Sequence, residues 1–342
     1  MAFLEPGRFE RDAAAAGFRT LVRDAGRLRR ADRFARVVRA LAADLRRERP
    51  DLMLNWTAKT QLYGAPAAAL AGMSDRIVWW QHVLPTGTWL DRLATLLPAQ
   101  AIGASSHAAA REQERLWPRR RTFVVHPGIE PPAPDAQRRF ARSGAAVVGS
   151  VGRLEPGRRQ HDLLHAVATV RRRGHDVHAL IVGGDALGLS GDYESYLKRL
   201  ASELGLSAAV TFTGQVPDAA PYLRALDVLV QPGPESFGIA LLEAMAIGVP
   251  VIAADTGGAP EIVEAERSGL LVPAGDRLRL AQAIERVLGD PALRERLAWE
   301  GRARVRTAFG AARMAAELAD QLEAIGAAAG RRRSAQRSVA SR

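Results

Sequence analysis

Short runs of aliphatic and β-branched residues alternate along this chain with longer stretches in which apolar positions recur every three or four residues. The runs at 51–55, 76–80, 100–103, 122–125, 145–151, 177–182, 210–213, 228–230, 249–253 and 270–273 predict strands. Helical spacing predicts helices over 62–70, 105–116, 163–172, 193–204, 236–246, 278–288, 293–309 and 314–325. Nearer the start, 1–4 and 18–22 read as short strands around an Ala-rich helix at 9–17. Phe34, Val37, Val38, Leu41 and Leu45 then mark one apolar helix face, surrounded by Arg33, Arg36, Arg46, Arg47 and Arg49. That face reads as core; its alternative is a basic amphipathic helix resting on an anionic membrane. Strand and helix in regular alternation predict an α/β protein with parallel sheets.

One βαβ unit, DVLVQPGPESFGIALLEAMAIGVPVIAADTGG at 227–258, concentrates the chemistry. Its strands end in loops at the carboxyl edge of a parallel sheet, where ligands bind in such folds. Glu235 falls at the predicted amino end of the helix, where free N–H groups favour an anion. Ile239, Leu241, Leu242 and Met245 surround Glu243, so its charge requires a partner. As helix residues eight apart, the two carboxylates would lie about 80° apart around the axis and two turns along. Such a pair suits the hydroxyls of an extended polyol, and equally a dipole-favoured Glu235 with Glu243 paired to an arginine.

Composition narrows the classes. A chain of 342 residues exceeds one ordinary core, so two domains are expected. The absence of Cys removes disulfides, thiolate metal sites and a Cys nucleophile, and fits a reducing cytoplasm. No run approaches the roughly 20 apolar residues of a spanning helix. The net charge of +11 is carried by arginine, Lys59 and Lys198 being the only lysines. With no zinc-finger spacing or RNP-like aromatic run, this charge reads as an Arg-rich surface and not as a nucleic-acid site.

The segment PESFGIALLEAMAIGVPVIAADTGGAPEIV closely resembles the signature of the retaining family 4 glycosyltransferases, and weaker likeness runs from about Phe3 to Ile325. The resemblance implies a GT-B architecture, two Rossmann-like domains facing a cleft. It divides the chain into an acceptor-side domain at 1–130, a linker at 131–144, a nucleotide-sugar domain at 145–310, a returning helix at 311–328 and a disordered basic tail at 329–342. By the same resemblance Glu235 holds donor-sugar hydroxyls, Glu243 the ribose, and Phe237, Gly238 and Ile239 offer N–H groups to the donor. Gly214 and Val216 border the nucleotide base, and His82, after the strand at 76–80, faces the donor sugar. Arg153 and Arg158 neutralise the pyrophosphate; Arg158 stands for the family's Lys, and Arg159 for the Gly beside it. Without an Asp-x-Asp pair, no metal is expected.

The implied activity is metal-independent retaining transfer of a hexose from a UDP- or GDP-sugar, with no cofactor, to a glycan, lipid-linked or small-molecule acceptor. It belongs in the cytoplasm or at the inner membrane face. A nucleotide-sugar epimerase of the same architecture and a donor-binding protein without turnover are the rivals, separated by product analysis with and without acceptor. Family members also begin with a strand, a glycine-rich loop and a helix, roughly forty residues, ahead of the segment that Phe3-Leu4-Glu5 resembles. The first domain is therefore expected to lack its N-terminal strand-loop-helix, leaving neighbouring strands unpaired.

Overall fold

The structure, a computed structural model, describes residues 1–26, 30–130, 144–185 and 191–340, with side chains to residue 331. The chain divides into two compact units, one made of Met1–Ser105, Ala109–Val125 and Glu317–Arg342, the other of Ser106–Ala108 and His126–Ala316. The division at 125/126 falls a few residues before the boundary expected at 130. The linker expected at 131–144 lies, apart from residue 144, outside the described residues.

In the first unit the order is β1 (Ala2–Phe3), α1 (Arg8–Ala15), β2 (Leu21–Val22), α2 (Ala31–Glu48), β3 (Met53–Asn55), α3 (Ala58–Leu70), β4 (Ile77–Gln81), α4 (Trp89–Leu96), β5 (Ala101–Ala104), α5 (His107–Glu114) and β6 (Thr122–Val124). Strands β3, β4, β5 and β6 form a parallel sheet in that order, and among the described residues β1 pairs only with β2. Every residue of β4 is buried, as a parallel strand covered on both faces requires. The apolar stripe of α2 packs on Tyr63 and Ala67 of α3, so it is core. Its use as a membrane-resting face, the alternative reading, is thereby overturned. Between the two sheets lies a cavity of about 600 Å³, lined from one side by Met1, Ala2 and Leu4 and from the other by Leu52, Leu54 and Asn55.

The second unit contains β7 (Ala146–Val151), α6 (Gln160–Arg172), β8 (Val177–Val182), α7 (Tyr193–Glu203), β9 (Val210–Phe212), α8 (Ala220–Leu223), β10 (Val228–Gln231), α9 (Ile239–Ala246), β11 (Val251–Ala254), α10 (Ala259–Ile262), β12 (Leu270–Val272), α11 (Arg277–Gly289) and α12 (Pro291–Ala308). Its six strands are all parallel, in the order β12-β11-β10-β7-β8-β9. Alternate residues feed two cores. Val148, Val228, Val230 and Ile252 pack with α6 and α11 on one face; Val147, Leu229 and Val251 pack with α9 and Val305 of α12 on the other. Asp276 and Asp290 cap α11 and α12 with side-chain oxygens, and Pro291 occupies the first turn where its missing N–H costs nothing.

Helix α13 (Ala311–Ala340) begins in the second unit and from Glu317 belongs to the first. Ile325 and Ala329 are buried. The helix continues through 329–340, the segment expected to be disordered. Alanine and arginine have high helix propensity, and once the buried turn is set each further residue adds a hydrogen bond without a new nucleus.

Candidate active site

In the six-stranded sheet, β7 and β10 are neighbours whose connections leave in opposite directions, β7 toward β8 and β10 toward β11. The crevice outside the carboxyl ends of two such strands is where open α/β sheets bind ligands. The loops that meet there are 152–159, after β7, and 232–238, after β10. They approach backbone to backbone: a Cβ on Gly233 would lie 2.6 Å from the carbonyl oxygens of Gly157 and Arg158.

This approach brings together residues almost eighty positions apart. Arg158 donates through Nη1 to Glu235 and through Nε to Glu155 Oε1 at 2.8 Å. Arg153 lies 3.4 Å from the same Glu155 oxygen. Two guanidinium groups and two carboxylates thus form one chain at the switch point, with Glu235 its most buried member. Burial pushes the Glu235 carboxyl above its ordinary range, against the pull of Arg158. Glu155 connects the two arginines and was not singled out from sequence, although it stands between them in GRLEPGRR.

Helix α9 starts at Ile239, three residues later than its sequence predicts, with Gly238 at φ 118° before it. Glu235 is therefore a loop residue, and the 80° relation to Glu243 around a shared axis does not exist. Instead Glu235 bridges to Gly257 as a parallel neighbour, and Gly258 N–H donates to its carbonyl at 2.8 Å. Phe237 is buried, and Gly258 fits against its backbone so closely that a Cβ would lie 2.6 Å from Phe237 Cα. Among the described residues, the N–H groups of Phe237, Gly238 and Ile239 have no acceptor. Three unpaired donors at the start of a helix make a seat for an anion or a polar ligand atom.

Glu243 projects from α9 with no ion pair or hydrogen bond among the described residues. The arginine partner that one reading required is not there. Burial raises its carboxyl above the ordinary range, and the charge of Asp218 adds to the effect. A half-buried carboxylate without a partner costs stability, and such groups accumulate at binding sites. Near it in chain order, Gly214 sits in a left-handed turn after β9 with its carbonyl accepting from Gly183 N–H at 3.1 Å, and Val216 packs against the core around α9.

Arg159, at the position the family gives to glycine, adopts φ 59°, ψ 32°. Its Nε donates to Asp162 at 2.6 Å, and Arg277 donates to the other Asp162 oxygen at 2.6 Å. Burial works to raise Asp162, but these two donors hold it below the usual carboxylate range. Arg159 is thus tied into the structure by its side chain, apart from the Arg153–Glu155–Arg158–Glu235 chain.

Glu261 of the TGGAPE loop also gains a role. Its carboxylate accepts from His107 and Ala108 N–H groups, each at 2.8 Å, and from His126 Nε2 at 2.8 Å. It caps this helix start, a task a side chain just before the helix more often performs. His107, His126 and Glu261 hold possible metal-ligating atoms within 4.8 Å of one another. The carboxylate oxygens are already taken by N–H donors, and a helix amino end repels a cation.

His82 belongs to the first unit, just beyond β4. Its ring meets Trp56 at 4.7 Å and Trp80 at 6.1 Å between centroids. Burial lowers its pKa, so the imidazole is neutral near pH 7, and its Nε2 is buried without a hydrogen-bond partner.

A Rossmann-type sheet with a charged switch-point crevice defines a nucleotide-binding α/β unit, and comparison with known proteins gives the family. Residues 134–304 match the family model described as glycosyl transferases group 1. The GDP-mannose-dependent alpha-(1-6)-phosphatidylinositol monomannoside mannosyltransferase of Mycobacterium tuberculosis is 34% identical over 289 residues, 77% of this chain and 73% of that protein. A D-inositol 3-phosphate glycosyltransferase of Streptomyces bingchenggensis is 34% identical over 245 residues, 65% of this chain and 53% of that protein. Among solved structures, HepE of Anabaena in complex with UDP and glucose superposes with a TM-score of 0.82 at 25% identity, covering 94% of this chain and 90% of that one. The chain belongs to the group 1 glycosyltransferases, with the GT-B fold, and is a nucleotide-sugar glycosyltransferase.

Proposed function

We propose that the protein transfers a hexose, with retention of anomeric configuration and without a metal, from a UDP- or GDP-sugar to a glycan or lipid-linked acceptor. What carries this reading is a set of groups at one sheet edge: the three unpaired N–H donors at 237–239, the unpaired Glu243, and two arginines held on the carboxylates of the same loops. In this reading Arg153 and Arg158 take the pyrophosphate, and Glu243 accepts from ribose hydroxyls. Glu235 and the N–H groups meet the donor sugar, while Gly214 and Val216 border the base. The acceptor hydroxyl attacks the anomeric carbon as its bond to phosphate oxygen breaks. The nucleoside diphosphate departs with the bonding pair, stabilised by the arginines, and its phosphate takes the acceptor's proton.

The relatives named above support a lipid-linked or inositol-containing acceptor as the first to try; a lipid-linked one would bring the enzyme to the cytoplasmic face of a membrane. Thermal denaturation against a panel of UDP- and GDP-sugars identifies the donor, because a ligand that binds only the native state raises the melting temperature. NMR of the product formed with an acceptor then reads the anomeric configuration. An inverted product, an isomerised free donor, or no transfer to any acceptor despite tight donor binding would each overturn the reading.

A further inference from the structure

The apolar stripe of α2 is buried, yet the first unit carries a second set of apolar side chains, and these are exposed. Along α4, Trp89, Leu93 and Leu96 recur at i, i+4 and i+7 and all three point outward, Trp89 with 68% of its surface exposed. The same helix buries Asp91, Ala94 and Thr95 on its opposite side. A helix with one apolar face already in the core has no internal use for a second.

The chain at 116–121 runs beside α4. At the carboxyl end of α4, Arg120 donates to the carbonyls of Thr95 at 3.1 Å and Leu96 at 3.2 Å. At the amino end, a Cβ on Gly87 would lie 4.0 Å from Leu116 Cδ2. Anchored at both ends, the segment presents Trp117, which at 77% has the greatest exposure among the large apolar side chains.

Charge separates this patch from an ordinary apolar surface. On the same two segments Arg92, Arg119 and Arg121 are exposed, and none has an ion pair among the described residues. The one carboxylate of α4, Asp91, points inward and accepts from Thr86 and Thr88 N–H groups. Glu112 is paired with Arg115, and Glu114 with the Thr122 hydroxyl. Two exposed tryptophans and two exposed leucines on adjoining segments that also carry three unopposed arginines fit one environment above others: the headgroup layer of an anionic bilayer. There indole rings settle at the boundary of apolar and wet regions, while guanidinium groups meet lipid phosphates.

We propose that the face formed by α4 and residues 116–121 docks the protein onto anionic membranes. The proposal goes beyond the donor assignment. It agrees with a lipid-linked acceptor, but its test requires no turnover.

Full-length protein is sedimented with vesicles of phosphatidylcholine alone and with vesicles carrying about a third phosphatidylglycerol. Binding should favour the anionic vesicles and weaken with salt. Trp89→Ser combined with Trp117→Ser should reduce partitioning at least tenfold. Arg119→Glu with Arg121→Glu should reduce it about twenty-five-fold or more, since each basic residue near such a surface contributes about fivefold. Trp299→Ser, an exposed tryptophan of α12 in the second unit, should change nothing. Brominated lipids should quench the parent's fluorescence and not that of the double Trp variant. Thermal melts and donor-induced stabilisation, which should match the parent, establish that the variants are folded. A failed donor assignment would leave vesicle binding intact. No preference for anionic vesicles, equal binding by the folded double Trp variant, or capture by RNA or a soluble protein through this face with no vesicle binding would overturn the proposal.

Discussion

Replacing Gly257 by alanine tests the packing that assembles the crevice. Gly257 has φ 63°, and a Cβ there would lie 2.3 Å from the carbonyl oxygen of Glu235 and 3.0 Å from its nitrogen. Two other glycines separate the cost of the backbone angle from the cost of the contact. Gly205, at the end of α7, has φ 70°, and Gly214 has φ 67°, with nothing within 4 Å of a Cβ at either. The left-handed conformation costs an alanine about 1–2 kcal/mol. Loss of freedom in the unfolded chain returns about 0.4–1 kcal/mol. Gly205→Ala and Gly214→Ala should therefore destabilise by about 1 kcal/mol or less.

At Gly257 the same term applies, and the Glu235 carbonyl must also retreat by about 1 Å to reach ordinary contact, in a packed interior that yields little. That movement breaks the 2.8 Å bond from Gly258 N–H. A lost hydrogen bond with its buried groups left unsatisfied costs about 1–3 kcal/mol. The total expected for Gly257→Ala is about 2–4 kcal/mol, measured by urea denaturation beside the two controls. Because the displaced backbone carries Glu235 and Phe237, transfer activity should also fall at least tenfold, while Gly205→Ala stays at the parent rate. A Gly257→Ala protein as stable as Gly205→Ala and fully active would refute the close approach of these loops and the site built on it.

Glu243→Gln should raise the melting temperature of the free protein at pH 7 and weaken nucleoside diphosphate binding about tenfold or more. A carboxyl whose folded pKa is raised is destabilising when ionised, so the stabilisation should shrink as pH falls through that raised pKa and the parent gains its proton. A Glu243→Gln protein less stable than the parent at every pH would contradict the unpaired carboxylate. Arg158→Ala leaves Glu235 buried without its cation and should cost about 2 kcal/mol in denaturant, less than a fully buried broken pair because Glu235 can take up a proton. It should also weaken donor binding in a salt-sensitive way while Arg158→Lys is mild; loss of activity with a chelator would count against a clamp made of arginines alone.

Much of the second unit was legible because its signals are local. A parallel strand buried on both faces reads as a mainly apolar run, and β7, β8, β10 and β11 are such runs, interrupted only by Ser150, His178 and Gln231. The start of α9 was not legible. Ser236 with Glu235 before it resembles an ordinary helix entry, but Phe237 must lie under Gly258 and Glu235 must pair with Gly257, so the chain stays extended until Gly238 turns it. Tertiary backbone contacts decided what local propensity had left to the caps. The two carboxylates divide similarly. Partial burial of Glu243 followed from its apolar neighbours on the helix. The pairing of Glu235 with Arg158 joins loops 77 residues apart and had no local signal.

Arg159 shows how a departure from a family pattern can be absorbed. A glycine there would reach φ 59° without strain, whereas arginine carries a penalty of about 1 kcal/mol that something must offset. Asp162 supplies the offset: its side chain is 2% exposed, and it holds Arg159 and Arg277 on its two oxygens. The same bond fixes where the positive charge of the loop is available. With Arg159 committed to Asp162, the charge facing the crevice comes from Arg153 and Arg158, and in the free protein both rest on carboxylates. For a pyrophosphate to be held there, Arg158 must exchange its bond to Glu235 or Glu155 for one to phosphate oxygen. Glu235, with its raised pKa, can release the guanidinium by taking up a proton or by turning its oxygens toward donor hydroxyls. In the function proposed, the Arg158–Glu235 pair keeps two charges satisfied until a ligand bearing both an anion and hydroxyl groups offers a new partner to each.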